Sequence, residues 1–245
     1  MKGTMTMKGT LNSLLIDNAG KGNLNEVKNL VEKGADIHFD NDIILRFSAG
    51  MGHLDVVKYL VEKGADIHAF SEGALRMSAR DGHLDVVKFL VEKGADIHNW
   101  SNRAFRMSAE YGRFDVVKYL VEKGADIHAC NEYALRWSAH QGYLDVVKFL
   151  VEKGANIHAN FEEALQNSAS NGHLDVVKFL VEKGAENGHL DVVKFLIEKG
   201  VIIPDDPITK QNIAKCFFKI KLLSIQKNDV IYIIDIFISE WLWKP

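Results

Sequence analysis

The tetrapeptide Asp-Val-Val-Lys stands at residues 55–58, 85–88, 115–118, 145–148 and 175–178, each copy thirty residues after the last. A sixth copy follows at 191–194, only sixteen residues on, and a degenerate Asn-Glu-Val-Lys at 25–28 keeps the phase of the first five. A fixed period of about 20–50 residues marks a stacked architecture. Each repeat is too small to bury its own apolar faces, so neighbours must bury them together. That rules out a single closed core before any other property of the chain is considered.

One period can be read physically. In "GHLDVVKYLVEKG" (52–64), Leu54, Val57, Leu60 and Val61 fall at helical spacing. Asp55 suits the positive end of that helix, and Gly64 suits a left-handed C-terminal cap. Lys58 and Glu62 are spaced for an i, i+4 pair on the wet side. This segment is helix B. The stretch "EGALRMSARDG" (72–82) carries Ala74, Leu75, Ser78 and Ala79 on one face. Such small residues let helices approach closely, so it is helix A. Between B and the next A, "ADIHAFS" (65–71) is predicted to run extended and then turn, as a finger.

The segment Gly82-His83-Leu84-Asp85-Val86-Val87-Lys88, closed by Gly94-Ala95-Asp96-Ile97-His98, resembles the ankyrin repeat, and it recurs along residues 11–200. The resemblance implies an all-α ankyrin-repeat solenoid of stacked helix-turn-helix units. It implies a non-enzymatic module that binds a protein partner along its finger and inner-helix face. Two features depart from the family. The period is thirty rather than the usual 33, so a stubbier β-hairpin finger is expected. The Thr-Pro-Leu-His signature is replaced by Gly73-Ala74-Leu75-Arg76 and Arg103-Ala104-Phe105-Arg106. In this form the chain is similar to the ankyrin arrays of giant DNA viruses of amoebae, mimivirus-like arrays. That implies a host protein as partner and the host cytosol as location.

The expected organisation is a disordered tail over 1–10, an array over 11–200 and a C-terminal cap or tail over 201–245. The array comprises six full thirty-residue repeats and a truncated seventh. In the short copy, "VEKGAENGHLDVVKFLIEKG" (181–200), a finger and a helix A are missing. The sixth B helix is expected to end near Lys183 and to turn through Gly184–Gly188. Residues 189–199 would then take the slot of the seventh A helix, with a tail helix from about Pro207 covering it. The final apolar run, 230–243, is ambiguous between helix and strand.

Composition narrows the function classes. The 245 residues carry a net charge of −3 with lysines and arginines spread evenly, which excludes the basic stripe of a nucleic-acid binder. Two cysteines, Cys130 and Cys216, lie far apart, which fits a reducing, cytoplasmic setting better than a disulfide scaffold. The opening residues lack the apolar stretch of a signal peptide. The run 230–243 is too short and too charged to span a bilayer, which needs about 20 apolar residues. A membrane-surface or adaptor role through that segment is the alternative function, and membrane contact is the weaker reading.

No phosphate-binding loop, nucleophile elbow or singular carboxylate cluster appears, so no catalytic residue, cofactor or metal is expected. His38, His68, His98, His128 and His158 recur a full repeat apart, too far to share an ion. They are read as bonding finger backbone, and His53, His83, His173 and His189 as turn residues. Arg46, Arg76, Arg106 and Arg136 form a ladder on helix A. Asp42, Glu72 and Glu132 each precede one of these arginines by four residues, so the ladder reads as neutralised and structural.

Positions the repeats do not share are free to make contacts. The expected partner-binding residues are Phe70, Glu72, Trp100, Arg103, Tyr111, Tyr133, Trp137, His140 and Phe161. Aromatics in a polar setting are the usual composition of interface hot spots. Exposed fingers also accumulate aromatics by drift, and Trp137 could equally pack between repeats.

Overall fold

The computed structural model of the protein describes residues 7–186, and for Phe161, Glu162, Glu182 and residues 184–186 it describes the backbone alone. The described residues form α-helices in antiparallel pairs, with no strand among them. The A helices are α1 (Met7–Gly20), α3 (Phe39–Gly50), α5 (Ala69–Asp81), α7 (Asn99–Glu110), α9 (Ala129–Gln141) and α11 (Ala159–Ser170). The B helices are α2 (Leu24–Glu32), α4 (Leu54–Glu62), α6 (Leu84–Glu92), α8 (Phe114–Glu122), α10 (Leu144–Glu152) and α12 (Leu174–Glu186). Helix α1 thus takes in residues 7–10, which the sequence reading assigned to a disordered tail. The chain divides into two compact bodies, residues 1–156 and 157–245. The first holds five helix pairs and the second, as far as it is described, holds α11 packed on α12.

In the first body, α1, α3, α5, α7 and α9 pack in succession and are the most intimate neighbours. The predicted small face is the reason: Ala74, Leu75, Ser78 and Ala79 are all buried, as are their counterparts one repeat on. Each buried serine satisfies its own hydroxyl, Ser78 Oγ donating to Leu75 O at 3.1 Å. The B helices bury Val56, Val57 and Leu60, with Leu54 and Val61 only half-buried at the rims. Helix α4 touches α3, α2 and α6. Neighbours on three sides bury a wider arc than the single stripe read from the sequence.

The first five B helices end as expected. Gly64 sits at φ +97°, Ala65 N–H donates to Leu60 O and Gly64 N–H to Val61 O, both at 3.0 Å. This double closure needs the left-handed conformation that glycine adopts without strain. The Lys58–Glu62 pair does not form. Lys58 Nζ instead lies 5.9 Å from the ring centroid of Phe89 in the next repeat, as Lys28 lies 5.7 Å from Tyr59 and Lys88 5.7 Å from Tyr119.

The sixth B helix departs from the others. Helix α12 runs through Gly184 and Ala185 to Glu186, past the predicted end at Lys183. Elsewhere Gly-Ala is followed by Asp-Ile-His or Asn-Ile-His, which make a turn. Here Glu186, a good helix former, follows directly. The expected A-slot helix at 189–199 and the cap over 201–245 lie outside the described residues.

Candidate partner-binding surface

The finger is not the short β-hairpin expected from the resemblance. After each of the first four B helices an aspartate carboxylate accepts the N–H of the histidine two residues on: Asp36 from His38, Asp66 from His68, Asp96 from His98 and Asp126 from His128, at 2.9–3.0 Å. This side-chain-to-backbone turn replaces a strand. Three consecutive residues then adopt positive φ in each of four repeats: Asp40–Asp42, Phe70–Glu72, Trp100–Asn102 and Cys130–Glu132, with φ between 47° and 60°. The right-handed helix resumes at the next residue.

The arginine ladder holds this left-handed turn. Arg76 Nε donates to Ser71 O at 2.9 Å and its Nη2 to Phe70 O at 2.8 Å. Arg46 makes the same two bonds to Asn41 O and Asp40 O, and Arg106 to Ser101 O and Trp100 O. Arg136 repeats them on Asn131 O and Cys130 O. The guanidinium fork therefore satisfies carbonyls that the reversed backbone turns away from any helix. The ladder is structural, as expected, but not by pairing with carboxylates four residues before.

Those carboxylates serve the histidines. His68 Nδ1 lies 2.6 Å from Glu72 Oε1 and His128 Nδ1 2.6 Å from Glu132 Oε1. His38 meets Asp42 at 3.1 Å and His98 meets Asn102 at 3.2 Å. The finger histidines thus bond a side chain, not the finger backbone as the sequence reading had it. The hydrogen bond to the carboxylate is the main cause that raises the pKa of His68 and of His128, against a smaller opposing effect of burial. Two of the predicted turn histidines are straps between repeats: His53 Nε2 donates to Gly20 O and His83 Nε2 to Gly50 O, both at 2.9 Å. Arg113 does the same to Arg80 O at 2.9 Å.

Arginines also reach across repeats to the finger rings. Arg46 Cζ lies 4.4 Å from the Phe70 centroid, Arg76 5.1 Å from Trp100, and Arg106 4.9 Å from Tyr133. Each predicted contact residue can now be placed. Phe70 and Trp100 are each 59% exposed, set in successive fingers on fixed turns. Tyr111 is exposed in the loop after α7. Tyr133, Trp137 and His140 gather on α9: Tyr133 stacks on Trp137 at 5.7 Å, and the Trp137 and His140 rings lie 5.1 Å apart. Tyr133 Oη donates to Glu110 Oε2 at 2.9 Å, and burial together with this bond pushes the phenol up to about 12. Arg103 is half-buried beside this group. The Phe161 side chain lies outside the described ones. Glu72 is a correction: it is 3% exposed and bonded to His68, so it cannot face a partner.

The sequence reading missed that Arg46, Arg76 and Arg106 hold these rings. The signal was present in the invariance of Arg at this position beside a variable aromatic, but side-chain reach across repeats is not a spacing. Among the described residues no three His, Cys, Asp or Glu side chains gather to hold a metal ion. No helix there is long and apolar enough to cross a membrane.

A family model described as Ankyrin repeats (3 copies) matches residues 67–131 and 105–187, and one described as Ankyrin repeat matches 44–71. Together they cover more than half of the chain. The chain belongs to the ankyrin repeat family. No curated protein matches it significantly. Ankyrin repeats indicate a protein–protein interaction module, and this array carries that module with a left-handed turn where a β-hairpin was expected.

Proposed function

We propose that the array binds a protein partner, without catalysis, along the surface formed by Phe70, Trp100, Arg103, Tyr111, Tyr133, Trp137 and His140. The observation that carries this reading is the pair Phe70 and Trp100, two large rings 59% exposed in consecutive repeats. Arginines fix both, so little side-chain entropy remains to be lost on binding, and pre-organised aromatics are efficient anchors. Burial of Glu72 removes one residue from the expected set. The viral resemblance makes the partner a host protein, and the cysteine pattern fits a cytosolic encounter.

The test is capture of partners from lysate by the wild-type chain and by a variant with Phe70, Trp100, Tyr133 and Phe161 all changed to Ala. Every partner specific to the wild type should be lost or strongly depleted in the variant. A variant that folds and retains every partner would place binding elsewhere on the array.

A further inference from the structure

In the third and fifth repeats the position that precedes the Ala-Leu pair of helix A packs against the arginine of the repeat before. A Cβ built on Gly73 would lie 2.5 Å from Arg46 Cδ, so glycine there leaves room for Arg46. Sixty residues on, Tyr133 occupies the equivalent position and lies under the Arg106 guanidinium at 4.9 Å. Between them stands Arg103, at the junction with Arg76. Space, cation and ring thus succeed one another at one structural position, and the middle junction places two arginines side by side.

Neither guanidinium forms an ion pair there. Arg76 spends Nε and Nη2 on the carbonyls of Ser71 and Phe70 and forms no ion pair. Arg103 has no hydrogen bond or ion pair among the described residues, and its Nε is buried without a partner. An unsatisfied buried donor on a charged group is costly, and like charges at close range add to it. The buried carboxylate of Glu72 gives Oε1 to His68 at 2.6 Å and forms no ion pair with either arginine. The positive charge of Arg103, after burial, also depresses the pKa of Arg76.

We propose that Arg76 and Arg103 form an anion site at the junction of the third and fourth repeats, and that its ligand is a carboxylate side chain of an acidic partner segment. Arg103 offers an unused fork matched to the two oxygens of a carboxylate, and Arg76 adds its free Nη1. The exposed Trp100 ring lies against Arg76 at 5.1 Å. It gives an adjoining apolar residue of the segment a surface that a free ion cannot use. The site rests on the finger-surface reading and supplies its chemistry: the partner brings an acidic residue next to an apolar one.

The array itself provides two substitutions already accommodated at this position, Arg103→Gly and Arg103→Tyr, and Lys33→Gln removes an equal charge elsewhere. Each full-length variant is titrated calorimetrically with a Glu-Leu-Glu-Leu-Glu peptide, with its glutamine analogue and with inorganic phosphate. The wild type and Lys33→Gln should bind the acidic peptide equally, with little response to the glutamine analogue or to phosphate. Both Arg103 variants should bind it at least tenfold more weakly. Affinity should fall as salt rises. Binding unchanged in Arg103→Tyr would overturn the site, as would equal affinity for the glutamine analogue or binding of phosphate in preference to the peptide. Loss of partners in the quadruple alanine variant, with no acidic-peptide binding by the wild type, would sink the anion site while leaving the finger surface intact.

Discussion

The array carries two ladders of cations over rings, one on each side, and they differ in kind. On the outer side Lys28, Lys58 and Lys88 approach Tyr59, Phe89 and Tyr119 at 5.7–5.9 Å, and their ammonium groups bond no backbone among the described residues. On the finger side Arg46, Arg76 and Arg106 approach their rings at 4.4–5.1 Å and also close two backbone carbonyls each. Thirty-residue repetition produces both rows. Only the second holds backbone in place, because a planar fork can bond two carbonyls while its face meets a ring, and a flexible ammonium cannot. Contacts of similar appearance therefore belong to different levels of the structure.

The largest effect should come from beneath both ladders. Leu90, fully buried on α6, should cost about 2–5 kcal/mol on change to Ala. Hydrogen exchange should quicken in the third repeat and its neighbours before the ends of the array respond. Leu84 and Phe114, which open their B helices, are half-buried and 36% exposed, so they should respond less. Uniform loosening over residues 7–156 would contradict local coupling.

Next comes the finger ladder. Arg106 is 7% exposed and donates to Ser101 O and Trp100 O at 2.9 Å. Arg106→Ala should cost about 2–4 kcal/mol, since bonds from a charged donor to carbonyls contribute roughly 1.5–3 kcal/mol each and are not additive. Chemical denaturation would measure it. Arg106→Lys keeps the charge and loses the fork, and should recover less than half. Full recovery by lysine would reduce this ladder to the status of the outer one.

Smaller still is a dependence on pH that separates repeats of the same design. Glu72 and Glu132 bond their histidines, whereas the fourth repeat has the neutral Asn102 opposite His98. Because the folded pKa of His68 and of His128 is raised, the stabilisation is complete below the unfolded value of about 6.5. It is lost as pH rises through the raised folded values. Thermal melting should therefore weaken between pH 6 and slightly alkaline conditions, with a shallower slope in a Glu72→Gln, Glu132→Gln variant. An unchanged slope would show that these pairs do not contribute. Least of all, Lys88→Ala on the outer ladder should shift stability by no more than about 0.5 kcal/mol.

Much of this was legible in the sequence, and the illegible part has a physical boundary. Helix B, its glycine stop and the small face of helix A follow from periodicity, because each is decided within one element. The finger was misread because its conformation depends on Arg76, four residues beyond the turn it closes. The strap from His83 to Gly50 spans thirty-three residues and leaves no local trace. The proposed partner surface was read largely from where repeats disagree, and of those positions Phe70 and Trp100 are exposed. It also admitted Glu72, a position that varies between Asp, Glu and Asn because several buried acceptors can serve a histidine there.

The fingers have a stereochemical consequence as well. For an L-residue the left-handed helical region costs roughly 1–2 kcal/mol, and four fingers each place three successive residues in it. Only Asn and Asp ease that cost among non-glycine residues, and Phe70, Ser71 and Glu72 include neither. A mirror-image amino acid has this region as its natural basin, so a D-residue introduced at 71 by chemical ligation should stiffen a finger that the same L-residue strains. The array is thus a right-handed chain punctuated by short islands of opposite chirality. The most exposed rings among the described residues, Phe70 and Trp100, each stand at the first residue of such an island. That geometry exists only in the folded repeat, so an unfolded chain presents the same aromatics without the surface.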